Sequence, residues 1–239
     1  MSVVAVGFIP AAPLLIPALA GADTDRDAQL RACVRSVVAD IAHATDAVPG
    51  ATLVIVGATD EVSTYTGTWD FTRIGLPMRG TGQGTLPTTL GIGAWFVDEC
   101  GYAGPREYVG VAERTPPSAC AALGQSLAQG RDIGVLVVGD GSARHDEKAP
   151  GWLDPRAEGF DAAATAALAS GDPGNVIALD ADLARDLLAV GRAPWQVAAG
   201  AAREATWTAG VAFEGAPYGV GYIAAIWLPH LDSNQEPLD

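Results

Sequence analysis

Short uncharged runs rich in β-branched residues, Val3 to Ile9, Thr52 to Val56 and Ile133 to Val138, recur along this chain with helix-spaced segments between them. A run that is apolar at every position fits a strand buried on both faces, as in a parallel sheet covered by helices. Between the first two runs, Leu30, Cys33, Val34, Val37, Val38 and Ile41 recur at helical spacing. Asp23 or Thr24 can cap that helix, and Pro49-Gly50 ends it. Strand, helix and strand within about fifty residues form a βαβ unit, whose right-handed crossover puts both strands in one parallel sheet.

The alternation continues. Pro87 to Cys100 reads as a helix, Glu107 to Ala112 as a strand and Ser118 to Gln129 as a helix stopped at Gly130. Helices follow around Phe160 to Leu168 and Ala181 to Val190, with a short one starting at Pro194. Thr206 to Phe213 and Val220 to Leu228 are apolar runs joined by a Gly-Pro-Gly turn, which predicts a closing antiparallel hairpin. The expected architecture is a three-layer α/β/α sandwich with a mixed, mostly parallel sheet. At 239 residues one core suffices, so residues 1–228 read as one domain and 229–239 as a polar tail. The stretch Asp60 to Leu86, rich in Gly and Thr with Tyr65, Trp69 and Phe71 among them, is either a lid or an ordered surface loop.

A net charge of −14 repels nucleic acid and anionic membrane surfaces, and no basic patch reverses it. Cys33, Cys100 and Cys120 are far apart and odd in number, so they read as buried thiols rather than as a disulfide framework or a zinc site. Val3 to Ala20 carries no charge and ends in Ala-Leu-Ala, which raises a secretory leader as an alternative. No Lys or Arg precedes the run, and Pro10, Pro13 and Pro17 interrupt it, so the expected location is cytoplasmic.

In an open α/β sheet, ligands gather outside the carboxyl ends of the parallel strands. The segments there are Pro10 to Pro13, Gly57 to Asp60, Gly139 to His145 and, at the hairpin, Glu214 to Gly219. They offer Asp140, Ser142, Arg144, His145 and Tyr218, with Trp152 nearby, a set suited to a small aromatic or anionic ligand. Arg144 with His145 could pair a carboxylate, and Asp140 with His145 could form an acid–base pair. The alternative is that Asp140 shapes its turn by accepting backbone N–H bonds, while Arg144 to Lys148 is a solvated charge run. Neither a nucleophile elbow nor a phosphate-binding glycine motif follows any of these strands.

Phe8-Ile9-Pro10-Ala11-Ala12-Pro13-Leu14-Leu15-Ile16-Pro17, Gly139-Asp140-Gly141-Ser142 and Ala216-Pro217-Tyr218-Gly219-Val220-Gly221-Tyr222 resemble, in order and wording, the class III extradiol dioxygenase (LigB-type) superfamily, especially its small actinobacterial branch. The resemblance implies a LigB-like fold, and in active members a non-haem Fe(II) held by two histidines and a glutamate, with a further histidine as acid or base. It also implies an assembly with a second copy or another subunit. Here the first metal position offers only Pro10 to Pro13, and the second offers Gly57 to Asp60, where Asp60 is an oxygen ligand or a turn residue. Ala143 stands at the acid–base position with His145 two residues on, and Glu214 stands one place before the family's glutamate. The expectation is therefore a domain with no metal ligands and no cofactor, binding a small ligand or a partner. The rival readings are a metal-dependent oxidoreductase using Asp60, Asp140, His145 and Glu214, and a metal-free acid–base enzyme.

Overall fold

The computed structural model describes residues 2–19 and 25–230. Strands β1 (Val3–Ile9), β2 (Thr52–Thr59), β3 (Ser63–Tyr65), β4 (Arg106–Ala112), β5 (Ile133–Val138), β6 (Trp207–Gly215) and β7 (Tyr222–Pro229) form one seven-stranded sheet in the order β3-β4-β2-β5-β1-β7-β6. The inner strands β4, β2, β5 and β1 are parallel, while β3 at one edge and the β6–β7 hairpin at the other run antiparallel. The sheet is mixed with a parallel centre, as the sequence predicts.

All six residues of β5 are buried, because both faces of the sheet are covered. Successive side chains enter different cores, as the pleat requires. Val135 and Val137 join Val6, Phe8, Val54 and Val56 on one side. Leu136 and Val138 join Ile9 and Ile55 on the other. Helices α1 (Asp25–Asp46) and α2 (Thr88–Glu99) cover the Leu136 side. The opposite side carries α3 (Pro117–Ala128), α4 (Ala157–Ala169), α5 (Pro173–Ile177) and, after the short α6 (Ala181–Asp186), α7 (Arg192–Ala201). This is the three-layer α/β/α sandwich. In α1 the helically spaced Leu30, Val34, Val37, Val38 and Ile41 all face the core, which is why an otherwise polar segment folds as a helix here.

Where α3 crosses α7 the two backbones touch. A Cβ on Gly124 would collide with the carbonyl of Val197, and one on Gly200 with that of Ala121. Only glycine allows this approach. Buried Arg192 holds α7 to the loop after β4 by donating to the carbonyls of Thr115 (2.7 Å) and Glu113.

Several expectations are corrected. The helix expected to run from Ala181 to Val190 stops at Asp186, because Leu188 adopts a left-handed φ of 57° and the chain turns. That turn brings Gly191 onto the loop after β5. The helix α5 was not signalled beyond Asp172-Pro173, a cap followed by a proline at the first helical position. Cys100 is exposed at the end of α2, and only Cys120 of the three thiols is fully buried. The Asp60 to Leu86 stretch is the ordered alternative: Phe71 is fully buried, and Trp69 stacks on it while donating to Asp98 Oδ2 (2.8 Å). Pro229 extends β7 one residue into the expected tail. Residues 231–239 and the proposed caps Asp23 and Thr24 lie outside the described residues. Among the described residues no helix is long and apolar enough to cross a membrane.

Candidate functional site

At the carboxyl end of β5 the chain is tied to the loop after β1, to the start of α7 and to the turn before β7. Gly139 N–H donates to Ile9 O (2.9 Å), and Ala11 N–H donates to Asp140 Oδ1 (2.7 Å), so the loop after β1 is clamped to the loop after β5. The Asp140 carbonyl accepts Gly191 N–H (2.7 Å). Gly141 N–H donates to Gly221 O (2.7 Å), Gly221 N–H to Ser142 O (2.8 Å), and His145 N–H to Gly219 O (3.1 Å). This short ladder fastens the His145 loop to the turn before β7.

The side chain that organises the loop comes from α4. Asp161 Oδ1 accepts Ser142 N–H (2.8 Å), and its Oδ2 stands 2.6 Å from His145 Nε2. With the carboxylate as acceptor, Nε2 is the ring nitrogen that donates. Asp161 is only 9% exposed. Its carboxylate sits so close to Gly141 and Gly221 that a Cβ on either would collide with it.

Burial raises the carboxyl of Asp140 to about 7, with the nearby charge of Asp161 adding and the Ala11 N–H opposing. Burial also raises Asp161, against the pull of Ser142 N–H and His145. The hydroxyl of Tyr222 is pushed up by burial first, then by Asp140, Tyr218 and Asp27. Acid groups are thus gathered under the strand ends in a poorly solvated layer, where perturbed carboxyls mark candidate functional sites.

His145 and Asp161 open onto a cleft of about 320 Å³ between α4 and the β6–β7 turn, whose other lining includes Glu158, Thr165, Glu214 and Ile223. Of the residues singled out in the sequence, the structure brings His145 and Glu214 together here. The expected Asp140–His145 acid–base pair is not formed, because the ring's carboxylate partner is Asp161. Asp140 does not shape its own turn either: its carboxyl accepts Ala11 N–H and so clamps the loop after β1. Ser142 is fully buried, donating to Leu187 O (3.1 Å) and accepting Arg144 N–H (3.2 Å), so it shapes the loop and does not line the cleft. Arg144 does not line the cleft, and its buried Nε has no hydrogen-bond partner among the described residues. Trp152, 63% exposed with a left-handed φ of 62°, also points elsewhere. Tyr218 O–H donates to the carboxylate of Asp27 on α1, at 2.8 Å from each oxygen. Asp60 is an exposed bend residue after β2 and lies off the cleft.

Iron ligation by two histidines and a carboxylate does not fit these donors. His43 lies in the last turn of α1, and His230 follows β7, hydrogen-bonded to Thr206 O. Both are therefore at the end of the sheet opposite His145, since α1 and β7 run antiparallel to β1. Of the altered set, Asp140 is turned to Ala11 and His145 to Asp161. Among the described residues no group of three or more His, Cys, Asp or Glu side chains is placed to hold a metal ion.

Asp161 and Asp27 were not singled out in the sequence, yet both carried a signal. Ala157, Phe160, Ala164, Ala167 and Leu168 form the buried stripe of α4, and Asp161 falls inside it. Asp27 likewise sits three residues before Leu30, on the buried stripe of α1. A carboxyl on an apolar helix face demands partners: Asp161 meets Ser142 and His145 at the cleft, while Asp27 meets Tyr218, which does not line it.

No protein-family model matches the chain, and no curated protein matches it. Among solved structures it is similar to the uncharacterized protein JW3007 from Escherichia coli K12, with a TM-score of 0.50 and 14% identity, over 94% of this chain and 99% of that one. At that identity the likeness concerns the fold alone.

Proposed function

We propose that this chain is a cytosolic LigB-like domain that binds a small organic ligand at the cleft beside His145 without iron chemistry. The observation that carries the reading is the commitment of His145 to a single buried carboxylate. The histidine at the strand ends is held by Asp161, and the positions where relatives' other ligands would stand are Pro10 to Pro13 and the loop at Asp60. A histidine ring held by a buried carboxylate beside an open cleft is a binding group ready for use.

The reading is tested by thermal shift of the intact protein against catechols, small aromatic acids and small amines. A ligand present at ~100 times its dissociation constant should add about 2.7 kcal/mol of stability. We expect at least one class to stabilise the wild type, and His145→Ala to lose that response. A panel that leaves the wild type unmoved, or moves both proteins equally, contradicts the assignment.

A further inference from the structure

Trp152 is 63% exposed, and the exposed Leu153 and Leu188 stand beside it. Leu188 packs on Gly151, where a Cβ would lie 2.7 Å from Leu188 Cδ1 and from Arg144 Cγ, and Trp152 and Leu153 follow directly in the chain. Among the described residues, Trp152 and Leu188 are also the two non-glycine residues in the left-handed region, with φ of 62° and 57°. Bulky side chains persist there only where the surroundings hold the backbone. This turn is held: Gly151 N–H donates to Ala143 O (2.9 Å), Trp152 N–H to Ala149 O (3.0 Å) and Asp154 N–H to Arg144 O (2.9 Å). An apolar patch kept outward on a strained, hydrogen-bonded turn is the mark of an interaction surface.

We propose that a second copy of this chain docks here, in a two-fold contact where Trp152 of each copy packs on the apolar turn of the other and Arg144 meets Glu147 across the boundary. None of Arg144, Glu147, Trp152, Leu153 and Leu188 lines the cleft, so the contact does not depend on what the cleft binds.

Charge selects the occupant. At −14 each, two copies repel over most of their surface. At this turn the signs balance, since Arg144, Lys148 and Arg156 stand against Asp146, Glu147 and Asp154, and Arg185 against Asp186. Arg156 is occupied within its own chain by Asp154 (2.8 Å) and Asp186 (3.4 Å), and Arg185 by Asp182 (2.8 Å). Arg144 and the exposed Glu147 form no ion pair among the described residues, which leaves one group of each sign to be matched by another copy. A two-fold axis makes each contact twice, so the patch is complementary to itself. It is smaller than the ~20–30 residues that each partner brings to a stable complex, so the dimer is weak and reversible.

Sedimentation of the full chain from micromolar to millimolar concentration should show a reversible monomer–dimer equilibrium. Asparagine tolerates a left-handed φ, so Trp152→Asn should melt no lower than the wild type while weakening the dimer at least about tenfold. Arg144→Glu should weaken the dimer as well, and adding Glu147→Arg to it should restore association, because the pair is then reversed across the axis. Val62→Ser removes a different exposed apolar side chain, before β3, and should leave the dimer unchanged. A wild type that stays monomeric throughout, or a Trp152→Asn variant that dimerises as well as the wild type, would overturn the assignment of this face. So would a loss in Val62→Ser equal to that in Trp152→Asn, which would reveal unspecific apolar association. A double variant no better than Arg144→Glu alone would overturn the two-fold pairing.

Discussion

Asp161→Ala should cost on the order of 3–5 kcal/mol of folding stability and set the His145 ring free. The size follows from what the carboxylate holds. Ser142 is fully buried, so its N–H would be left without its acceptor. An orphaned buried donor costs about 1–3 kcal/mol. The His145 side of the pair loses its 2.6 Å contact at the same time, and Gly141 and Gly221 would border the hole. Against the ~5–15 kcal/mol typical of a folded domain, this is a large fraction. Asp161→Asn is the informative partner. Its amide oxygen keeps the Ser142 bond, while its NH2 forces Nε2 to become the acceptor and moves the ring proton to Nδ1. Urea denaturation should show the alanine variant much weakened and the asparagine variant near the wild type, with the asparagine variant's ring nitrogens exchanging roles by NMR. An alanine variant within about 1 kcal/mol of the wild type would show that Asp161 does not organise the loop.

The second large effect is a pH dependence centred on Asp140. Its folded carboxyl is raised to about 7, above the ordinary carboxylate value that the unfolded chain retains. Between those two values the folded state holds a proton that the unfolded state has released. The stability contributed by the protonated group is thus complete below the unfolded value and is lost as pH rises through about 7. Asp140→Asn keeps an oxygen for Ala11 N–H and cannot ionise, so it should resemble the wild type at pH 4 and exceed it at pH 8 by on the order of 2–4 kcal/mol. Stability curves of the two proteins that run parallel across this range would mean that Asp140 is solvated and ionised in the folded state.

The sheet was readable because parallel strands buried on both faces leave runs such as Ile133 to Val138, and because Leu30 to Ile41 carries one apolar stripe. Elements held by tertiary contacts were less legible. Leu188 breaks its helix in a left-handed turn that closes on Asp140 through Gly191, and no local propensity announces that turn. The site divided in the same way. His145 lies in a strand-end loop and Glu214 near the end of β6, and both were found by position, whereas Asp161 comes from a helix and reaches the site only through packing. Ser142, Arg144 and Trp152 follow the same strand, but the loop directs them into the core or away from the cleft, and sequence order does not encode that direction.

In the proposed function, the His145 ring under the strand ends serves the Asp161 carboxylate in place of iron. Iron analysis of untagged protein after anaerobic exposure to Fe(II) and gel filtration addresses it directly. No stoichiometric iron, and the same trace content in wild type and His145→Ala, is the expected result. Retention of one equivalent of iron by the wild type, lost in His145→Ala, would contradict it.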